Sequence, residues 1–331
     1  MKPGVLIAVN ERQREEIFGP WALERLESFA RVKYQSGEGN MDEAELVESI
    51  PGFEGLVTCW GSPRISEAVL DSAKELRIIS HSAGSVRSYV HGGVFQRGIV
   101  VTNASSAIAV SVAETTIGLI ISSLRHLMNH NEELKAGRRV GSLSPTHELT
   151  GRTVGIIGMG EVGKRVMGLL NAFHCKILVY DPHRTAEEIE GFGGSQVDLE
   201  DLMAQSEVVS LHAPNIPSNH HMITRNMLGM LMDDAVLVNT ARGELIDEGA
   251  LIEEALSGRI RVALDVFEAA AGDVGKRLGG APNAILTPHI AGKSVEARRR
   301  QGDVVVEDLA LFFSGKTPKN LVTLEMLDWM A

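Results

Sequence analysis

Short apolar runs alternate along the chain with longer stretches in which apolar positions recur every three or four residues. The first kind reads as strands covered on both faces and the second as helices lying over them, which is the pattern of βαβ units and parallel sheets. A first series predicts strands at Val5 to Val9, Val32 to Gln35, Gly55 to Cys59, Arg77 to Ser80 and Ile99 to Val101. Between them, Pro20 to Ala30 suits a helix with Pro at its first position, and Asp42 to Ser49 suits another. A long helical stretch, Val110 to Gly137, and the polar segment GSLSPTHELTG lead to a second series. Its strands are expected at Thr153 to Ile157, Lys176 to Tyr180, Val208 to Leu211, Ala235 to Asn239, Val262 to Leu264 and Ala284 to Leu286. A last helix, Lys293 to Ser314, is placed to return the chain to the first series. The fold class is α/β, with two doubly wound parallel-sheet domains.

Length agrees, since 331 residues exceed what one hydrophobic core usually serves. A formal charge of -11 repels phosphate backbones, so Arg298, Arg299 and Arg300 read as a solvated helix face and no nucleic-acid partner is expected. The most apolar region, Ile99 to Leu124, carries Asn103, several serines and Glu114, and the run Val5 to Val9 is too short for a signal peptide. No membrane partner is expected, and the expected location is cytoplasmic. Cys59 and Cys175 show no metal or redox spacing; both read as inert, and no metal is expected.

Chemistry first becomes visible in TVGIIGMGEVGKRVMGLL, where Gly158, Gly160 and Gly163 follow a β-branched strand and open an amphipathic helix. Glycines there permit a tight turn and close backbone approach, and the helix N-terminus offers N–H groups to a pyrophosphate. Met159, Glu161 and Val162 lie within the same turn. Asp181, at the end of CKILVY with Pro182 after it, is placed to accept from ribose hydroxyls, which favours NAD over NADP. His183 and Arg184 leave a 2'-phosphate reading open.

Farther on come VVSLHAP, VNTARGELID, ALDVFE and LTPHIAG, each closing a strand, with SVAETTIGLI ahead of the glycine turn. Together these motifs resemble the NAD-dependent D-isomer-specific 2-hydroxyacid dehydrogenases. The resemblance implies a Rossmann-type cofactor domain, 106–295, inserted in a flavodoxin-like substrate domain made of 1–105 and 296–331, and a homodimer. Arg242 resembles the family's substrate arginine, and a guanidinium fork suits a carboxylate independently of that. His289 resembles the acid/base that exchanges a proton with the C2 oxygen of a small 2-oxo acid or 2-hydroxy acid as hydride moves between C2 and NAD(H). Thr240, Ala241, His212, Ala213 and Pro214 resemble walls of the cofactor site. Asp265 resembles the residue beside the nicotinamide carboxamide, Val112 the backing of its ring, and Ala291 and Gly292 the small residues after the histidine. In the first domain, Ala83, Gly84 and Ser85 match a loop whose N–H groups hold the substrate carboxylate, with Gly84 permitting the bend. Trp60 would line the side-chain pocket.

One family position departs. A Glu and then a Pro usually follow DVF, and that Glu pairs with the catalytic histidine; Ala270 and Ala271 stand here instead. The loss removes a charge that raises the imidazole pKa and a partner that orients the ring. Glu268 is the candidate substitute acid, and the glycines of AAAGDVGKRLGG suggest a mobile loop. Two functions follow: an oxidoreductase working without its tuning carboxylate, or an NAD(H)-binding sensor or corepressor-like scaffold with vestigial catalysis.

Overall fold

Two mostly parallel sheets organise the chain, whose computed structural model describes residues 2–138 and 145–330. The chain forms two units, one of Met1–Ile108 with Lys293–Ala331 and one of Ala109–Gly292. The polar segment read as GSLSPTHELTG lies partly outside the described residues.

The first unit opens with β1 (Gly4–Ile7), β2 (Arg31–Tyr34), β3 (Gly55–Thr58), β4 (Ile78–His81) and β5 (Val100–Asn103). The second holds β6 (Thr153–Ile157), β7 (Lys176–Tyr180), β8 (Gly194–Gln196), β9 (Val208–Leu211), β10 (Val236–Asn239), β11 (Arg261–Leu264) and β12 (Ala284–Leu286). A final β13 (Leu321–Val322) returns antiparallel to the edge of β5. The sheet orders are β13-β5-β4-β3-β1-β2 and β12-β11-β10-β9-β6-β7-β8. Both are doubly wound: order reverses beside β1 in one and beside β6 in the other, and ligands in such sheets bind beyond the strand C-termini at those points.

β1, β3, β4, β6 to their last residues and β9 to β11 throughout are almost wholly buried, so both faces of each sheet are covered. In the first unit, Leu6, Leu56 and Ile79 face one core, while Val5, Ile7, Val57 and Ile78 face the other. The second unit repeats this with Val209 and Leu237 on one side of its sheet and Val208, Val236 and Val238 on the other.

Two expectations need correction. The stretch Val110 to Gly137 forms two helices, Ser105–Leu124 and Leu127–Lys135, broken at His126 with φ +50°. Arg261, 3% exposed, ends the first by donating to the carbonyls of Ser123 and Leu124. That helix is long and apolar enough to cross a membrane by composition, yet most of it is buried against the chain's own core. A helix also forms at Ala271–Leu278, where a mobile loop is expected, because Val274 and Leu278 stand four residues apart and both pack into the core.

His81, which closes β4, is 1% exposed. Its Nδ1 lies 2.9 Å from Thr58 Oγ1, while Nε2 has no partner among the described residues. Burial pushes the imidazole down to about 3, so the folded ring is neutral and gains a proton only on unfolding. Because the folded value lies below the unfolded value of about 6.5, the contribution is complete above about pH 6.5 and drains toward about pH 3. The slope is up to about 1.4 kcal/mol per pH unit. Denaturant titrations between about pH 7 and about pH 4 should show wild type losing more stability than His81→Gln. Equal losses would show that another group controls the acid limb.

Candidate active site

β6 runs into Gly158, whose φ is +95° and whose missing Cβ would sit 2.7 Å from the backbone nitrogen of Ala213. A Cβ on Gly163 would meet Gly158 O at 2.2 Å, so the helix Glu161–Ala172 can pack this tightly on the strand end only through glycine. Gly160 is different, since a Cβ there would meet nothing within 4 Å. It caps the helix without a side-chain hydrogen bond. Open space therefore coincides with a helix N-terminus, whose first N–H groups have no partner within the helix itself, and the turn fits a dinucleotide pyrophosphate. Met159 is buried in this turn, and Val162 packs on the core beneath it.

Asp181 follows β7 and braces the turn from the side: Oδ2 accepts from Met159 N–H at 2.7 Å and Oδ1 from His183 N–H at 2.9 Å. Carboxylate lone pairs not used by these bonds remain for ribose hydroxyls. Arg184 is drawn to Glu188 at 3.2 Å, and Pro182 is exposed. Asp181→Ala should weaken NADH binding more than NADPH binding, with the brace lost in both measurements. Fluorescence titration of each nucleotide reads this directly; equal loss would confine Asp181 to the brace.

The remaining cofactor-side candidates sit on neighbouring strand ends. His212 donates its N–H to Ile157 O at 2.7 Å and holds Ser210 Oγ with Nε2 at 2.9 Å; its enclosed imidazole is pushed down to about 3. Ala213 is the residue against which Gly158 is pressed, and the Pro214 carbonyl accepts from Asn219 Nδ2 at 3.0 Å. Thr240 Oγ1 pairs with Thr116 Oγ1 at 2.9 Å, and Thr116 also bonds the carbonyl of Val112, so these residues form one wall.

Arg242 ends the turn after β10, which Asn239 closes by donating to Arg242 O at 2.7 Å and accepting from Ala241 N–H at 3.0 Å. Gly243 is essential to the next step, because a Cβ there would lie 2.0 Å from Phe267 C. The guanidinium donates to Ala241 O at 2.6 Å and makes no ion pair among the described residues. Burial lowers its pKa, which marks a desolvated cation. His289 lines the same cavity of about 330 Å³, with Glu244, Phe267, Ala269 and Ala271 also on its lining. Its backbone is left-handed at φ +53° and its N–H goes to Asp265 O at 2.9 Å.

Several of the expected site residues make contacts that the sequence does not show. Asp265, 1% exposed, directs both oxygens at the histidine loop: Oδ1 accepts from Thr287 Oγ1 at 2.6 Å and Ile290 N–H at 2.8 Å, and Oδ2 from Ala291 N–H at 2.9 Å. It positions the turn that carries His289. Ala291 is buried and takes Ser111 Oγ on its carbonyl at 2.7 Å, with half-buried Gly292 following. Glu268, the candidate substitute acid, bonds His221 Nε2 at 2.8 Å. Ala270 is exposed and caps the helix Ala271–Leu278 without a side-chain bond. Glu248, which the sequence does not single out, is 9% exposed and accepts the N–H groups of Glu268 and Ala269, fixing the loop along the cavity. Twenty residues separate Glu248 from Glu268, and no local pattern links them.

In the first unit, Ala83 is buried and its carbonyl accepts from Ala104 N–H at 2.9 Å, while Gly84 and Ser85 are partly exposed. Gly84 is not what bends this loop: its φ is not left-handed, and a Cβ would make only ordinary contact with Ile108 at 3.7 Å. Trp60 leaves the neighbouring strand β3, with the Arg298 guanidinium 4.2 Å above its ring. Cys59, just before it, is free and buried, and burial pushes its thiol up to about 11.

Residues 117–291 match the family described as D-isomer specific 2-hydroxyacid dehydrogenase, NAD binding domain. The chain is 34% identical over 273 residues to hydroxypyruvate reductase of Thermotoga maritima, covering 82% of this chain and 88% of that one. It is 32% identical over 305 residues to D-3-phosphoglycerate dehydrogenase of Methanocaldococcus jannaschii, covering 92% of this chain but spanning only 57% of the relative. Among solved structures, PH0520 protein from Pyrococcus horikoshii OT3 matches with a TM-score of 0.81 at 28% identity, over 99% of this chain and 97% of that one.

Proposed function

Because the chain belongs to the D-isomer specific 2-hydroxyacid dehydrogenase family, we propose that it reduces a small 2-oxo acid with NADH to the D-2-hydroxy acid, using Arg242 and His289. The observation that carries this reading is their place on one small cavity, a desolvated cation and an imidazole, with no other cation on its lining. When bound, NADH supplies the hydride for C2. Arg242 forks onto the substrate carboxylate and polarises the C2 oxygen, more strongly for being out of water. His289 gives a proton to that oxygen, or takes the hydroxyl proton in the reverse direction.

Ala270 stands where the family sets a carboxylate beside the imidazole, and Glu268 bonds His221 Nε2. Ala270→Glu, with Ala271→Pro to shape the loop, should stabilise the imidazolium. The basic limb of kcat/KM for reduction then moves to higher pH, and the rate at neutral pH rises. Coincident pH profiles would remove position 270 from the proton-transfer step.

The activity itself is tested by following NADH oxidation against glyoxylate, pyruvate, hydroxypyruvate and aryl pyruvates, beside NADH binding by fluorescence. Turnover on at least one acid supports the reading. Tight NADH binding with no turnover on any acid supports a sensor or scaffold instead. Exposed Leu127, Met128 and Leu134 on the helix Leu127–Lys135 are the proposed contact of a homodimer, which sedimentation of wild type and Leu134→Glu checks.

A further inference from the structure

His220, His221 and Glu268 each offer one ligand atom, and these atoms lie within 4.8 Å of one another. His221 Nε2 and Glu268 Oε2 are already 2.8 Å apart, and the two imidazoles stack with centroids 4.0 Å apart and planes at 21°. From this juxtaposition we propose that the chain binds one divalent transition-metal ion through His220, His221 and Glu268, a site independent of the dehydrogenase reading.

Backbone on both sides is fixed before any ion arrives. The turn Pro217–Asn219 leads into His221 at φ +49°. Successive side chains of extended backbone point to opposite sides, and a left-handed residue interrupts that alternation, which lets two adjacent imidazoles share a face. His221 N–H goes to Glu244 O at 2.8 Å, and the chain beyond it is pinned by Ile223 N–H to Leu245 O at 3.0 Å, with both side chains wholly buried. Opposite, buried Glu248 holds Glu268 by its backbone N–H at 2.8 Å. Little ordering is therefore left to oppose binding.

Two neutral imidazoles and a carboxylate are the donor set of zinc, nickel, cobalt and copper, whereas magnesium and calcium favour oxygen ligands alone. Three protein ligands leave a tetrahedral ion one open position, and His220 is exposed while the other two side chains are each about one third exposed. The ion would join the segment at His220 and His221 to the loop whose Phe267 and Ala269 line the Arg242 and His289 cavity.

The test uses the full, untagged chain and Zn²⁺ in a non-coordinating buffer, in competition with a chromophoric chelator. One equivalent should bind, magnesium in large excess should not displace it, and Co²⁺ should give the visible ligand-field absorption of a four-coordinate ion. His220→Ala, His221→Ala and Glu268→Gln should each weaken binding by at least about tenfold, since each removes one of only three ligands. His220→Ala alters an exposed side chain, so it remains informative should the other two variants fold poorly, which circular dichroism monitors. No stoichiometric binding in wild type, or equal affinity in wild type and His220→Ala, would overturn the site.

Discussion

Arg242→Lys should lower kcat/KM for the preferred 2-oxo acid by roughly 100-fold or more, a loss of about 3 kcal/mol in transition-state stabilisation. Charge survives the substitution but the planar fork does not, and one ammonium cannot satisfy a carboxylate and a C2 oxygen at fixed angles. The surroundings give Lys no way to compensate. Asn239 clamps the turn, Gly243 presses against the Phe267 backbone, and burial keeps water from filling in for the lost donors. Steady-state kinetics should show KM raised, because the fork holds the carboxylate in ground and transition states alike, and kcat lowered, because its hold on the C2 oxygen strengthens as charge develops there. A change of only a few-fold would take Arg242 out of the site.

His289→Gln should have the larger effect on kcat, roughly 100- to 10,000-fold, the range of a general acid–base catalyst. Gln can still donate a hydrogen bond to the C2 oxygen but cannot transfer a proton to it. NADH affinity, read by fluorescence, should fall far less than kcat. Asp265→Asn gives the complementary result, since its two oxygens hold Thr287, Ile290 and Ala291. Weakening that grip should disorder the His289 turn and lower kcat without removing the imidazole. Retention of near wild-type kcat in His289→Gln would mean that proton transfer to C2 oxygen runs through another group.

What could be read from sequence follows from how local each signal is. The strands show because burial on both faces needs continuous apolar runs, and the glycine turn shows because Gly158 and Gly163 meet backbone too closely for any Cβ. Arg242 and His289 stand out in sequence through the motifs that hold them, and both line one cavity in the structure. The break at His126 is not, since apolar positions continue through it and the helix ends on Arg261, far along the chain. β13 has only two residues, too few for a pattern. Gly272 and Gly275 suggest a loop, yet the anchoring by Val274 and Leu278 decides for a helix. Asp265 and Glu268 show the limit on site chemistry: sequence places a carboxylate at a strand end, but only packing settles that one holds the His289 turn and the other pairs with His221.

The most direct test of the account is transfer of label. Wild-type chain is incubated with NADH deuterated at the nicotinamide C4 and the 2-oxo acid it turns over best, and the product is analysed by mass spectrometry and chiral chromatography. The account predicts deuterium at C2 of the D-2-hydroxy acid, with incorporation reduced in parallel by Arg242→Lys and His289→Gln. Labelled cofactor bound tightly but no deuterium in any hydroxy acid, or incorporation unaffected by either substitution, would contradict it.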